Sequence, residues 1–411
     1  MRARMNTSRA ALTFVLLSVF IDSLGFGIII PSLPGVIMTL TGEPLSTAAD
    51  WSGYLMAVYA LLQFFMAPVI GNLSDRYGRR PLLLASLFAF GVDFLLTGLA
   101  TSMTWLFLGR AFAGVFGASF SAAGAYIGDI STDATRAKNF GFIGAAWGSG
   151  FTLGPVIGGF VAEYDLRAPF FVAAGLALAN VIFGFFVLPE SLPKERRRPF
   201  EWSRANPLGA FKSLAHLPMV AGLLFAVLLY QIAHDSLPAV WMFFTQLKFG
   251  WGPSEVGWSL TFVGVMTVLV MGGLTGMVVP KLGERRAIML GFMLMTVGFA
   301  MYALVPAGWM IYPAIAIGSL GAIANPSMQS VMSKQVGSSS QGELQGAIAS
   351  IASVAAIVSP LFMTQLFSYY SAPGAPVYLP GAPYLVSAVM VFFCVLIAMR
   401  ATKVVPAITS A

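Results

Sequence analysis

Asp22, Asp93 and Arg110 each interrupt a long run of aliphatic and aromatic residues. At a helical rise of about 1.5 Å per residue, Asp22 falls roughly 16 Å along its run and Asp93 roughly 18 Å along its own. Arg110, on a run of opposite direction, reaches a similar depth. An acid at the centre of a membrane helix costs about 2.5–3.5 kcal/mol, so three ionisable residues in one layer imply a task. Burial disfavours the charged form of a carboxylate and a neighbouring cation favours it, so such a group can exchange protons. Alternating exposure to two sides would make it a proton carrier, and at least one of Asp22 and Asp93 is expected to act so. The plainer alternative is that one acid neutralises Arg110 and never titrates.

His234-Asp235 stands just before Pro238, in the outer part of a later run. It is either a second titrating site, because His has the only ordinary side-chain pKa near neutrality, or a polar pair close to the outer interface. Tyr59, Gln63 and Asn325 are candidate hydrogen-bond partners for a substrate, or else satisfied helix–helix contacts.

The elements that must hold these residues are long apolar helices. The chain is 58% apolar and 9% charged, against about 25% charged in an ordinary soluble domain. A spanning helix needs roughly 20 apolar residues, and twelve runs qualify, at about 11–37, 52–71, 81–100, 105–127, 140–162, 169–188, 218–244, 255–279, 286–305, 309–331, 344–368 and 382–401. The 24 prolines and 43 glycines suit a membrane bundle, where neighbouring helices satisfy freed backbone groups and small residues allow close packing. The net charge of +7 does not mark a nucleic-acid partner. Of 23 Lys and Arg, only Arg167 and Lys248 fall in the loops of one side and Arg110 within a run. The positive-inside rule makes the other side, with both termini, cytoplasmic. The basic N-terminus and its apolar run lack a small-residue cleavage site and are read as a retained first helix rather than a secretory signal. With one Cys and two His there is no disulfide, no His/Cys metal cluster, no phosphate-binding loop and no nucleophile–base constellation. No cofactor and no enzymatic activity are expected.

Between the second and third runs lies Gly71-Asn72-Leu73-Ser74-Asp75-Arg76-Tyr77-Gly78-Arg79-Arg80-Pro81, a charged turn that must sit at a water interface. It returns 205 residues later as Gly276 to Arg286, where Gly276 and Gly283 match Gly71 and Gly78. Gly346 and Pro360 match Gly141 and Pro155 at the same offset. Several matches in one register mean duplication. The expected organisation is an N-terminal bundle over residues 1–190, a charged linker over 191–215 and a C-terminal bundle over 216–411.

The turn resembles the signature loop of the major facilitator superfamily. Arg110 to Gly114 is similar to its fourth-helix Arg-x-x-x-Gly pattern. Gly144, Gly148, Gly154-Pro155 and Gly158-Gly159 resemble the fifth-helix motif of its drug:proton antiporters. Asp22 with Gly25-Phe26-Gly27 and Pro31-Ser32-Leu33-Pro34, Val58 to Gln63, and Gln341 to Gly346 are similar to its tetracycline-resistance subgroup. The resemblance implies an all-α fold of twelve transmembrane helices in two pseudo-symmetric six-helix bundles, with a substrate site near mid-membrane. It also implies an inner-membrane, proton-coupled drug efflux antiporter, active as a monomer on a small amphipathic substrate. Within it Gly71, Asp75, Gly78, Arg79 and Asp129 form a latch that holds the outward-open state. The subgroup carries an embedded acid in its ninth helix, where this chain has Met295, so substrate or coupling is expected to differ. A nutrient symporter or uniporter on the same fold, and a non-transporting membrane sensor or scaffold, are the alternatives.

Overall fold

The computed structural model describes residues 2–117, 119–202, 218–336 and 341–401; the far half of the expected linker lies outside these residues. No strand occurs among them. Twelve helices are long and apolar enough to cross a membrane: Ala11–Ile29, Leu45–Tyr77, Arg79–Leu99, Met103–Ile130, Lys138–Tyr164, Ala168–Val187, Val220–Phe249, Pro253–Leu282, Glu284–Leu304, Gly308–Gln335, Glu343–Ser371 and Ala382–Ala401. They are numbered below as spans 1 to 12.

Where proline or glycine enters, the expected boundaries shift. The first run is two helices rather than one, because the helix ends at Ile29 before Pro31 and restarts at Leu33, with Pro34 in its first turn. Proline disfavours helix in the residue before it but suits a first turn. Gly42, at φ 70°, closes the short helix by donating its N–H to the Met38 carbonyl. Span 2 is longer than expected and runs through Gly71, Ser74 and Asp75 to Tyr77, so the charged stretch is mostly helical. The turn is Gly78 alone, at φ 110°. Gly283 takes the same part between spans 8 and 9 at φ 76°. Both conformations favour a residue without Cβ. Span 8 loosens into a π turn at Val270–Leu274, which contains Gly272-Gly273. Span 10 is broken by a 3₁₀ turn at Gly321–Ile323.

Contacts divide the chain into two compact units. Of the described residues, one comprises those up to 202, the near half of the linker included, together with Trp251–Gly264; the other comprises 218–250 and those from Val265 onwards.

In the first unit, span 5 lies directly on span 1. Gly150, Gly154 and Gly158, four residues apart on one face, meet the carbonyls of Phe20, Leu24 and Ile28. Ser23 donates its hydroxyl to the Trp147 carbonyl at 2.6 Å. Small residues at such spacing let two backbones touch, which is how helices gain packing energy where lipid offers no hydrophobic drive. Gly159 packs on Pro253, and Thr261 donates to the Thr152 carbonyl at 2.7 Å, so the start of span 8 joins the same cluster. Gly144 and Gly148 meet nothing within 4 Å. Their side of the helix is open, and close packing is not their role. Spans 1 and 5 position Asp22, and spans 2, 3 and 4 position the charged pair described next.

Gly158→Ala drives a methyl into the Ile28 carbonyl and is expected to cost about 1–3 kcal/mol, whereas Gly148→Ala leaves stability unchanged. Thermal unfolding of the two purified variants checks this; equal melting temperatures would refute the packing role.

Candidate functional site

Asp93 and Arg110 meet inside the first unit. The Asp93 side chain is fully buried and Arg110 is 14% exposed. Arg110 Nε donates to Asp93 Oδ1 at 3.1 Å, and Nη2 donates to Oδ2. Both carboxylate oxygens are thus held by the fork of a guanidinium, the strongest side-chain pairing available to an acid. The approach requires Gly109, since a Cβ there would lie 2.7 Å from Asp93 Oδ1. This second reason for the Leu-Gly-Arg sequence was not legible from charge pattern alone.

Tyr59 and Gln63 extend the pair. Arg110 stands 6.0 Å from the Tyr59 ring centre, within cation–π range. Gln63 Nε2 donates to Tyr59 Oη at 3.1 Å and to the Gly117 carbonyl where span 4 loosens. The Tyr59 phenol feels the charges of Arg110, Asp93 and Asp22. Asp22 is only partly buried, unlike Asp93. Towards the other ends of spans 1 to 4 a cavity of about 30 Å³ reaches Arg110 between Ile29, Leu55, Thr97, Leu106 and Phe170. That is room for about one water.

The charged turn builds a second cluster, at the opposite end of these spans. Arg79 Nη1 pairs with Asp75 Oδ1 at 2.6 Å, and its Nε donates to Asp129 Oδ2 at 3.2 Å. Ser191 donates to the same Asp129 oxygen at 3.0 Å. The expected trio is therefore brought together, while Gly71 sits mid-helix with open space around it. Glu190 was not foreseen and is central. Its carboxylate accepts the backbone N–H of Arg79 at 2.8 Å and of Arg80 at 3.3 Å, at the start of span 3. It also pairs with Arg197 at 3.9 Å. Gly78 leaves the space that Glu190 enters. The near half of the linker is tied down beside it. Arg198 donates its N–H to the Asp75 carbonyl at 3.1 Å, and Asn72 donates to the Glu201 carbonyl at 2.6 Å. The available signal was a first helical turn with no capping side chain of its own, which four orphan N–H groups make costly.

In the second unit, His234 and Asp235 stand at the middle of the 30-residue span 7, not in its outer part. The span continues through Pro238 to Phe249, so the proline does not end it. Gln231 donates to Asp235 Oδ1 at 2.9 Å, and His234 Nδ1 lies 3.7 Å from the same oxygen. The His234 side chain is half exposed. Asn325 follows the 3₁₀ break of span 10, and its Oδ1 accepts from Gln329 at 3.2 Å. Met295 is buried against Gly321, filling the ninth-span place with apolar packing.

The profile described as Major Facilitator Superfamily matches residues 15–360 and 236–409. The chain is 36% identical over 361 residues to the class C tetracycline resistance protein of Escherichia coli, covering 88% of this chain and 90% of that one. To the class B protein of Escherichia coli it is 32% identical over 404 residues, with 97% and 96% covered. To Multidrug resistance protein 2 of Bacillus subtilis (strain 168) it is 32% identical over 295 residues, with 71% and 72% covered. Among solved structures, nucleoside transporter NupG superposes with TM-score 0.76 at 13% identity, over 97% of this chain and 99% of that one. The human organic anion transporter MFSD10 (TETRAN) gives 0.69 at 21% identity, over 95% and 99%. At such identities these two speak for the fold alone. Fold, charged turn and sequence relatives agree: the chain belongs to the major facilitator superfamily, in the branch of the tetracycline-resistance proteins.

Proposed function

We propose that this protein is an inner-membrane, proton-coupled efflux antiporter for a tetracycline-like amphipathic molecule, working by alternating access with both termini cytoplasmic. The observation that carries the reading is the buried Asp93–Arg110 pair, in a chain 36% identical to a tetracycline resistance protein. Protonating Asp93 removes its charge and leaves Arg110 without its counter-ion. Breaking a buried pair of this kind is worth about 3–5 kcal/mol. Moving a two-state equilibrium from 1:99 to 99:1 takes about 5.5 kcal/mol, so one proton at this pair has nearly the leverage that reorientation needs. Asp22, partly buried where Asp93 is fully so, is the second acid assigned to the proton route, and the Tyr59 phenol feels the charge of both. The small cavity beside Arg110 gives a proton from the outer side its last step. Gln63 and Asn325 offer amide hydrogen bonds to substrate, and His234-Asp235 gives the second unit a mid-membrane polar site. Asp75, Arg79 and Asp129 act as the conformational latch, with Glu190 positioning Arg79.

Adding tetracycline to purified protein in weakly buffered solution is expected to release protons, and Asp22→Asn or Asp93→Asn to abolish the release. Uphill tetracycline efflux from everted vesicles by the double Asn variant would rule out proton coupling through these acids. Absence of any tetracycline phenotype in a pump-deficient host would reject the substrate and leave the coupling test to other drugs.

Glu190→Gln removes a charged cap from span 3 and the partner of Arg197. A loss of about 1–2 kcal/mol is expected, read as a lower melting temperature. An unchanged melting temperature would show that the Glu190 contacts do not hold the loop.

A further inference from the structure

The two charged turns, 205 residues apart, carry the same ion pair with its sign reversed. Arg79 pairs with Asp129 in the first unit, and Glu284 pairs with Lys334 at 2.7 Å in the second. The surroundings differ. The first turn is filled by the Glu190 carboxylate, three residues past the end of span 6, whereas the sequence given after span 12, residues 402–411, contains no acid. In its place the second turn has a cavity of about 400 Å³, lined by Glu284, Arg285, Arg286, Lys334, Gln335 and Val331. Glu284 is engaged by Lys334 and by the Ser330 hydroxyl. Arg285 and Arg286 are exposed and make no ion pair or hydrogen bond among the described residues. Three cations thus border one open space against a single, already paired carboxylate.

What lies beside the cavity indicates what kind of anion it takes. Leu290, Met293 and Val297 follow Arg286 at the fourth, seventh and eleventh positions, so they rise on its face of span 9. Each is 42–46% exposed. Met277 at the end of span 8 is 59% exposed. An exposed apolar stripe running up from two unpaired arginines at a span end matches a lipid, with acyl chains on the stripe and a phosphate in the cavity. Free phosphate would use the arginines but not the stripe. Basic pockets between helix ends on the cytoplasmic side are suited to anionic head groups, and arginine holds phosphate oxygens in a bidentate grip.

We infer that the cavity at the turn between spans 8 and 9 binds the phosphate of an anionic phospholipid of the cytoplasmic leaflet, through Arg285 and Arg286. The assignment of leaflet rests on the orientation proposed above; the binding itself does not depend on transport. The lipid phosphate supplies to the second unit the anion that Glu190 supplies to the first.

The test uses the full chain in neutral detergent, with dioleoylphosphatidylglycerol, dioleoylphosphatidylcholine and inorganic phosphate as separate probes, read by native mass spectrometry and thermal shift. Wild type is expected to retain phosphatidylglycerol in preference to phosphatidylcholine and to be stabilised by it. R285Q/R286Q should bind it about 30-fold more weakly, as two interfacial arginines predict, while K281Q, a turn cation outside the cavity, binds as wild type does. No preference for phosphatidylglycerol in the wild type overturns the inference without reliance on any variant. Equal weakening by K281Q would replace the site with diffuse surface charge, and stabilisation by millimolar phosphate alone would replace the lipid with a free anion. Proton release and efflux are read separately, so failure here and failure of the antiport reading are distinguishable.

Discussion

A carboxylate at the centre of a bilayer persists only if something satisfies it, and in this protein the fork of Arg110 closes on Asp93. Much of the first unit follows from that pairing. Gly109 has no side chain because Asp93 occupies the space where one would be. Tyr59 turns its ring to the guanidinium, and Gln63 ties that tyrosine to the loosened turn at Gly117. The pair joins spans 3 and 4 far more strongly than lipid-exposed apolar contacts would, since charge-assisted bonds strengthen as water is excluded. A neutralising pair and a proton-responsive pair share this geometry. What separates them is whether a proton can arrive, and the small cavity beside Arg110 supplies that access in the proposed mechanism.

The two turns show how duplication with divergence distributes work. Gly78 and Gly283 keep the same left-handed corner, because each must reverse the chain between two long helices within one residue. The ion pair across each corner also persists, but as Arg79–Asp129 in one copy and Glu284–Lys334 in the other. Reversing both charges preserves the attraction while changing what else the corner can bind. The first copy gathers acids and is closed by its own chain through Glu190. The second gathers cations and stays open.

Proximity in sequence governed what could be read without coordinates. Span number, the repeat, the basic side of the loops and the depth of Asp93 and Arg110 all follow from local composition and a constant helical rise. Errors arose where proline and glycine acted in context. Pro31 split the first run, whereas Pro155, Pro238 and Pro360 lie inside continuous helices. Neighbouring helices decide which of these happens by satisfying or abandoning the freed carbonyl. The fifth-helix glycines divided in the same way. Gly154 and Gly158 meet span 1, and Gly144 and Gly148 meet nothing, because only packing partners give a glycine its meaning.

By itself, then, the sequence determined that this is a twelve-helix membrane protein of duplicated design, with embedded charge in its first half and a charged turn. Those properties depend on hydropathy and spacing, which are local. Only the tertiary structure decided that the fork of Arg110 closes on both oxygens of Asp93 and that Glu190, some 110 residues away in the chain, completes the first turn. It also placed His234-Asp235 at mid-span and left Arg285 and Arg286 open. The reason is physical: an ion pair is chosen by distance and burial, and neither exists until the helices have packed.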